Sequence, residues 1–346
     1  MQGLYIGYRD PLFGIIIFVA LIGLIALLSY GWGLYAHRRR QAAINSFLKE
    51  LSHLHDEAIG EALAAGPQTI PAMLLLAEAF LKSGEYQQAI AIYLAILNRH
   101  AQTLDPFDQS RLLGKLGRAY AKAGFLERAK IHLQESLRLD HANTDSLKLL
   151  AVVLDRSGKL SESLEVWEVL EAHGVDASCW RGLAEAKLIT HEAISPTERL
   201  AKLEALYRSR PRLTRFFYRE ALTIDPERYI LEALNHHPLE LLDLLWNLEK
   251  PNANLDTITS PEGRALMAAK GWIVANEMAG PFELEILAQL QQHGHGAHAT
   301  LGFEYLCTSC KQMVPIDTDI CPHCFDAGTL LPEPILQRPM KERLYE

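Results

Sequence analysis

Cysteine is scarce in this chain and unevenly placed. Five of the 346 residues are cysteine, and four of them fall inside one eighteen-residue stretch, CTSCKQMVPIDTDICPHC, at positions 307–324. Such sparse usage excludes a small secreted fold held together by disulfides. In a reducing compartment, two C-x-x-C pairs this close together indicate a metal-binding unit first.

The chain also lacks an excess of basic residues. It has 34 lysines and arginines against 42 aspartates and glutamates, which gives a formal net charge of −8. This balance argues against DNA or RNA as the main partner, because nucleic-acid-binding proteins present a basic surface. A phosphate-binding loop, a G-x-S-x-G elbow and an H-E-x-x-H pair are missing as well.

Charge is absent from a long stretch near the amino terminus. Residues 12–35, LFGIIIFVALIGLIALLSYGWGLY, carry no charge, and the basic HRRR follows at 37–40. A helix of that length spans the hydrocarbon core of a bilayer. The positive-inside rule then places residues 1–11 in the periplasm and the chain from residue 37 onward in the cytoplasm. The alternative, a cleaved signal peptide, would carry its basic residues before the apolar run.

A helical repeat occupies the middle of the chain. A small residue that follows a leucine recurs at Ala77, Gly117, Ala151 and Ala184, in steps of 40, 34 and 33 residues. The tetratricopeptide repeat has a period of about 34 residues and consists of two antiparallel helices. The alternative is an ordinary helical bundle with chance periodicity.

We predict a tetratricopeptide array over residues 37–300, with clear units at about 70–190 and divergent units at 196–294. The segment 47–63 is interpreted as the second helix of a degenerate first unit, and 261–294 as the last helices. A solenoid of this kind presents an extended curved surface to protein partners.

The paired cysteines predict a tetrahedral metal site. Cys307, Cys310, Cys321 and Cys324 form two knuckles that a ten-residue spacer separates. Four thiolates leave no open coordination position, so the bound zinc or iron ion would be structural. The predicted module covers residues 301–332, and 333–346 form a tail.

Two other metal or redox interpretations remain. CPHC by itself is a dithiol motif of the thioredoxin type, although only 22 residues follow Cys324 to build the surrounding fold. HGHGAH (293–298) is interpreted as a linker, with a second metal site as the alternative. His323 is expected to point away from the metal, and Cys179 to be a small buried apolar residue.

Three stretches resemble the lipopolysaccharide assembly protein B family, which comprises cytoplasm-facing inner-membrane regulators of Gram-negative bacteria. They are YGWGLYAHRR (30–39), LGRAYAKAGFLERA (116–129) and YLCTSCKQMVPIDTDICPHC (305–324). The third resembles the family's rubredoxin-type module. Lys311 and Phe325 stand where rubredoxins usually place glycine, which leaves zinc against iron open.

The resemblance implies an all-α tetratricopeptide-repeat solenoid with an N-terminal transmembrane helix and a small rubredoxin-like or zinc-ribbon module. It further implies a non-enzymatic adaptor whose partners are a membrane AAA protease, the deacetylase that commits carbon to lipid A, and lipopolysaccharide assembly proteins. The module's ligands would be the four cysteines named above. The alternatives are a membrane-tethered scaffold for another envelope or secretion complex, and a metal-dependent redox or nucleic-acid protein.

Overall fold

The computed structural model of the chain describes residues 66–100, 104–274 and 279–339. The predicted membrane segment at 12–35, its basic flank and the helix predicted at 47–63 lie outside these residues. Within the described ranges, no helix combines the length and the apolar character that crossing a membrane requires. The chain divides into two units after residue 103.

The described part of the first unit, residues 66–100, contains one helical hairpin. Helix α1 (Ile70–Ser83) and helix α2 (Tyr86–His100) are joined by a turn in which Gly84 has a left-handed backbone, with φ of 87°. Glycine adopts this conformation without the steric penalty that a Cβ imposes. Ala77 of α1 and Ala89 of α2 are both completely buried, as expected for helices that pack through small residues.

The second unit continues with helices up to residue 292. Their bounds are as follows: α3 Pro106–Lys122, α4 Leu126–Leu139, α5 Thr144–Arg156, α6 Leu160–Ala172, α7 Ser178–His191, α8 Pro196–Ser209, α9 Thr214–Ile224, α10 Pro226–His236, α11 Leu242–Trp246, α12 Pro261–Ala269 and α13 Phe282–Gln292. The described chain before residue 299 is therefore mostly helical, as predicted.

The helical hairpins α3–α4 and α5–α6 follow the predicted repeat. Gly124 and Gly158 form their turns with φ of 84° and 75°. Gly117 permits the close approach of α3 and α4, because a Cβ at this position would lie 2.7 Å from Cγ of Leu133. The start of α3 is capped by Asp105, whose carboxylate accepts a hydrogen bond of 2.7 Å from the amide of Asp108. The small residues and turn glycines of the sequence therefore have the roles that the repeat predicts.

Two predicted helices in the divergent region are shorter than expected. Within the divergent units predicted at 196–294, helix α11 covers only Leu242–Trp246, and the helix predicted from residue 261 ends at Ala269. Gly271 has a φ of 70° and turns the chain after α12. The ammonium of Lys270 donates hydrogen bonds to the carbonyls of Leu245, Trp246 and Leu248, at 2.9, 2.5 and 2.5 Å. The carbonyl groups at the end of α11 thus receive their hydrogen bonds from a side chain that follows α12.

The C-terminal module is a small antiparallel sheet. Its strands are β1 (Thr300–Cys307), β2 (Met313–Val314) and β3 (Leu330–Gln337), in the order β2-β1-β3. All eight residues of β3 pair with β1, so the strand continues past the predicted module boundary at 332 until Gln337 faces Thr300. Pro332 and Pro334 lie in this outer strand, where their missing N–H groups limit pairing with a further strand.

The module shares its apolar core with the helices. Leu301 of β1 and Ala327 of the second knuckle belong to the same buried cluster as residues of α7 to α13. A second, smaller cluster lies inside the module around Tyr305, Val314 and Leu330. Because part of the module's apolar surface is buried against α7 to α13, its position on the helices is part of the fold of the second unit.

Candidate metal centre

The structure brings the four predicted thiols to one point. The sulfur atoms of Cys307, Cys310, Cys321 and Cys324 all lie within 4.8 Å of one another. Sγ of Cys307 is 3.7 Å from Sγ of Cys324, and Sγ of Cys310 is 3.8 Å from Sγ of Cys321. Both of these close pairs join different knuckles. This arrangement favours a shared centre over two separate dithiols.

The spacing of the sulfurs fits a tetrahedral ion. A metal–sulfur bond of about 2.3 Å places the corners of a tetrahedron about 3.8 Å apart, which agrees with the two distances above. Cys307 and Cys321 are buried, and the other two cysteines are partly buried. Four thiols around one point can therefore hold one metal ion and leave no position for a substrate.

The two knuckles have the same backbone geometry. The amide of Lys311 donates to the carbonyl of Cys307 at 2.9 Å, and the amide of Phe325 donates to that of Cys321 at 2.9 Å. In return, the amides of Cys307 and Cys321 donate to carbonyls five residues later, at 3.0 and 2.8 Å. Sequence spacing predicted two knuckles, and the structure shows that they are equivalent turns.

Lys311 and Phe325 are the non-glycine residues with positive φ in the described ranges, at 59° and 62°. Both directly follow the second cysteine of a knuckle. The left-handed conformation costs a residue with a Cβ about 1–2 kcal/mol. The knuckle therefore imposes this backbone even though neither position holds the glycine usual in rubredoxins.

The thiols differ in their electrostatic surroundings. Burial by itself would raise the pKa of Cys307, but hydrogen bonds lower it to about 6; they come from the backbone amides of Cys310 and Ser309 and from the Thr329 hydroxyl. Burial raises the pKa of Cys321 and of Cys324. The backbone amides that point at Cys307 favour its thiolate form, which is the form that ligates metals.

The remaining candidates do not join this centre. His323 is exposed on the second knuckle. Cys179 is buried in α7, and its Sγ lies 3.6 Å from the carbonyl oxygen of Ala327. Within the three described ranges, the four cysteines form the group of potential ligands that lie close enough together to share one ion. In HGHGAH, the rings of His295 and His298 lie 5.6 Å apart between centroids.

The second knuckle is held against the helices through its backbone carbonyls. The indole N–H of Trp180 in α7 donates to the carbonyl of Phe325 at 3.1 Å. Arg212 donates to the carbonyl of Ala327 at 2.7 Å and pairs with Asp326 at 3.0 Å. Gly328 lets the chain approach closely, because a Cβ there would lie 2.3 Å from the carbonyl oxygen of Arg212. The knuckle thus docks on α7 and on the loop before α9.

The spacer between the knuckles is held by ion pairs. Arg215 of α9 contacts Asp243 at 2.8 Å and Asp317 at 2.9 Å. Arg219 pairs with Asp317 at 3.4 Å and with Asp319. Burial opposes the charge on Arg215, but hydrogen bonds and charges from Asp243 and Asp317 raise its pKa. The spacer carboxylates therefore compensate two largely buried guanidinium groups.

These docking residues were missed from the sequence. Trp180 lies within the clear repeat units, and Arg215 and Arg219 lie within the divergent ones. The acidic PIDTD of the spacer, residues 315–319, was a usable signal, because carboxylates in a metal-bound loop need cationic partners when they are buried.

Comparison with known proteins supports the repeat. Residues 68–142 match the tetratricopeptide repeat family. This part of the chain is a tetratricopeptide-repeat region. One similar solved structure is described as the crystal structure of MamA protein; it is 18% identical, the similarity covers 50% of this chain and 81% of that one, and the TM-score is 0.33. No curated protein matches the chain.

Proposed function

We propose that this chain is a non-enzymatic adaptor on the cytoplasmic face of a bacterial inner membrane. It would regulate lipopolysaccharide biosynthesis by promoting the protease-controlled turnover of the deacetylase that commits carbon to lipid A. Its partners would be that deacetylase, a membrane AAA protease and lipopolysaccharide assembly proteins. The uncharged segment 12–35 and the basic residues that follow it support the membrane placement.

The repeats support the adaptor role. Tetratricopeptide arrays bury their apolar faces between neighbouring units and leave one broad surface for other proteins. The match over residues 68–142 therefore supports a scaffold for protein–protein interaction. The single observation that carries the proposal is the combination of this array with a four-thiol module that docks on α7 and α9 within the second unit.

The module supports a structural role for a metal ion. Cys307, Cys310, Cys321 and Cys324 would hold it, and a Zn²⁺ or iron ion bound there would cross-link the two knuckles. The knuckles and their spacer would then be held in a fixed position on the helices by Trp180, Arg212 and Arg215. Since four thiols complete the coordination, the site offers no position at which a substrate could react.

Depletion of the protein tests the proposed target. If the chain promotes turnover of the deacetylase, its depletion raises the amount of that enzyme and produces excess lipopolysaccharide, and re-expression of the full chain reverses both. The readouts are the deacetylase level on immunoblots and the ratio of lipopolysaccharide to phospholipid. Deacetylase levels that stay flat would instead favour a scaffold for another envelope or secretion complex.

Affinity capture from membranes, with residues 1–40 retained, tests the partners directly. The protease and the deacetylase should be recovered with the full chain. Accessibility labelling of engineered cysteines tests the orientation: a label that cannot cross the inner membrane should reach a cysteine at position 5 but not one at position 138. The reverse pattern would place the repeats in the periplasm and exclude the proposed mechanism.

A further inference from the structure

A row of basic residues follows one face of helix α3. Arg111, Lys115, Arg118 and Lys122 are spaced four, three and four residues apart, which places their side chains on the same side of an α-helix. Arg111 and Arg118 are exposed, and the two lysines are partly buried. The chain as a whole has a net charge of −8, so this basic row is a positively charged patch on an acidic protein.

Arg111 and Arg118 of the basic row differ from two arginines of α7 and α9. Arg181 in α7 pairs with Glu171 at 2.7 Å, and Arg215 in α9 pairs with Asp243. Within the ranges that the structure describes, Arg111 and Arg118 form no ion pair with a carboxylate. The Arg111 guanidinium instead lies 5.6 Å from the centroid of the exposed Phe107 ring. Their charges are therefore available to a partner.

The basic row runs toward the C-terminal module. Burial and the neighbouring charge of Arg118 lower the pKa of Lys122, while the charges of Cys310, Cys321 and Cys324 oppose this shift. Lys122 therefore lies within electrostatic range of the four-thiol centre. At this end of the row the Lys122 side chain is partly buried, whereas Arg111 and Arg118 face solvent.

The basic row also belongs to the first helices of the repeats. Helix α3 contacts α5 directly, and Lys148 of α5 lies 3.9 Å from the centroid of the Trp180 ring in α7. Stacked repeats bind extended ligands along one continuous surface. Arg111 and Arg118 are exposed and so belong to the solvent-accessible surface of the repeats.

We propose that the basic row of α3 binds an extended acidic segment of a protein partner. The proposal rests on the adaptor function and adds the chemistry of the ligand. Arg111 and Arg118 are separated by seven residues, about 10.5 Å along the helix axis. A polyproline II segment covers about that distance in three residues, at about 3.1 Å each, and its three residues per turn place side chains three positions apart on the same side. A segment with two acidic residues three positions apart therefore fits both arginines.

A protein segment suits this surface better than a bilayer does. A flat array of anionic headgroups needs the cations on an outermost, freely accessible face. Lys122 is instead partly buried, within electrostatic range of the cysteine centre, so one end of the basic row is recessed beside the module. An extended peptide can follow such a surface past a neighbouring domain, whereas a membrane cannot.

Peptide binding to the full chain in detergent tests the proposal. The probe is a labelled, proline- and serine-rich peptide that carries Glu-x-x-Glu, compared with the same peptide carrying Gln-x-x-Gln. The double variant Arg111→Gln/Arg118→Gln removes the charges, Arg118→Lys keeps one, and Arg138→Gln on α4 is the matched exposed control. Circular dichroism and metal content show whether each variant is folded.

The Glu peptide should bind more tightly than the Gln peptide, and its affinity should fall as ionic strength rises. The double variant should weaken binding by about fivefold or more, Arg118→Lys by less, and Arg138→Gln not at all. Equal affinity of the double variant and the native chain would overturn the proposal. The proposal would also be overturned if the double variant lost binding to anionic phosphatidylglycerol vesicles but bound the peptide as the native chain does.

The outcomes separate this proposal from the adaptor function. Flat deacetylase levels after depletion, together with charge-dependent peptide binding, would remove the lipopolysaccharide role and keep the basic row. The converse outcome is that the chain controls the deacetylase normally while the Glu and Gln peptides bind equally well. That result would contradict the proposed binding role of the basic row and leave the adaptor function standing.

Discussion

The indole N–H of Trp180 donates a hydrogen bond to the carbonyl oxygen of Phe325 at 3.1 Å. One residue belongs to a repeat helix, and the other follows the last cysteine of the second knuckle. The Trp180 ring also stacks on Trp167, with centroids 5.6 Å apart. Trp180 thus links the backbone of the second knuckle to the aromatic packing of the repeat helices.

Trp180→Phe tests this connection. The variant keeps most of the ring packing but removes the donor, so the Phe325 carbonyl loses its partner. We expect the free energy of unfolding of the second unit to fall by about 1–2 kcal/mol. Chelators should also remove the metal faster, because the knuckle is held less firmly. Urea unfolding and metal release to a chromogenic chelator measure the two effects.

Trp272→Phe is the matched control, since the Trp272 ring centroid lies 4.3 Å from the ammonium of Lys270, whereas Trp180 is the indole that donates to the knuckle backbone. It should leave the rate of metal release unchanged. If Trp180→Phe behaves like this control in the chelator assay, the hydrogen bond does not support the knuckle.

Lys311→Gly should stabilise the first knuckle. Removing the Cβ relieves about 1–2 kcal/mol of left-handed strain, while the greater freedom of glycine in the unfolded chain costs about 0.5–1 kcal/mol. The strain term is larger, so a net gain of about 0.5 kcal/mol is expected in the metal-loaded protein. The midpoint of urea unfolding measures it.

Phe325→Gly at the equivalent position provides the contrast. Phe325 is 4% exposed, so the lost burial should exceed the relief of strain and the variant should be destabilised. Lys311→Ala keeps the Cβ and should show no gain. A destabilised Lys311→Gly protein would mean that the left-handed backbone carries no strain at this knuckle.

Cys321→Ser should release the metal ion. The substitution removes one of the four sulfurs, and a weaker oxygen donor replaces it. We expect elemental analysis to show about one ion per chain in the native protein and a large loss in the variant. The helix content before α7 should largely survive, because the buried cluster that the module shares is formed by α7 to α13.

Cys179→Ser tests whether the effect is specific, since Cys179 is a buried thiol outside the four-sulfur group. Its metal content should equal that of the native chain. Unchanged metal content in a Cys307→Ser/Cys321→Ser double variant would exclude the four-thiol centre.

Lys270 should make stability depend on pH above neutrality. Burial lowers its pKa to about 8 in the folded chain, below the ordinary value of about 10.4 in an unfolded chain. Between these values, the unfolded chain holds a proton that the folded chain has lost, so stability rises with pH. Below pH 8 the ammonium is charged in both states, and the full burial penalty applies.

Lys270→Met removes this titration. The difference in unfolding free energy between the native chain and the variant should therefore increase from about pH 7.5 to about pH 9.5. A difference that stays constant across this range would mean that Lys270 keeps an ordinary pKa.

Local signals in the sequence predicted the repeat over residues 68–142 and the four cysteines whose sulfurs lie within 4.8 Å of one another. The glycines at 124 and 158 marked turns because a left-handed backbone favours glycine over any other residue. The paired cysteines marked one centre because ligand spacing is short-range. Helix lengths after residue 237 were predicted less well, since the end of α11 depends on Lys270, which lies 24 residues beyond Trp246.

The amino-acid sequence determined by itself the period of the helices, the four sulfur ligands and the uncharged segment at 12–35. Each of these depends on residues close together in the chain. The tertiary structure decided where the module docks, how Asp317 meets Arg215 and which face of α3 remains open. Such contacts join residues far apart in sequence, and spacing along the chain carries no information about which of many possible partners packing will bring together.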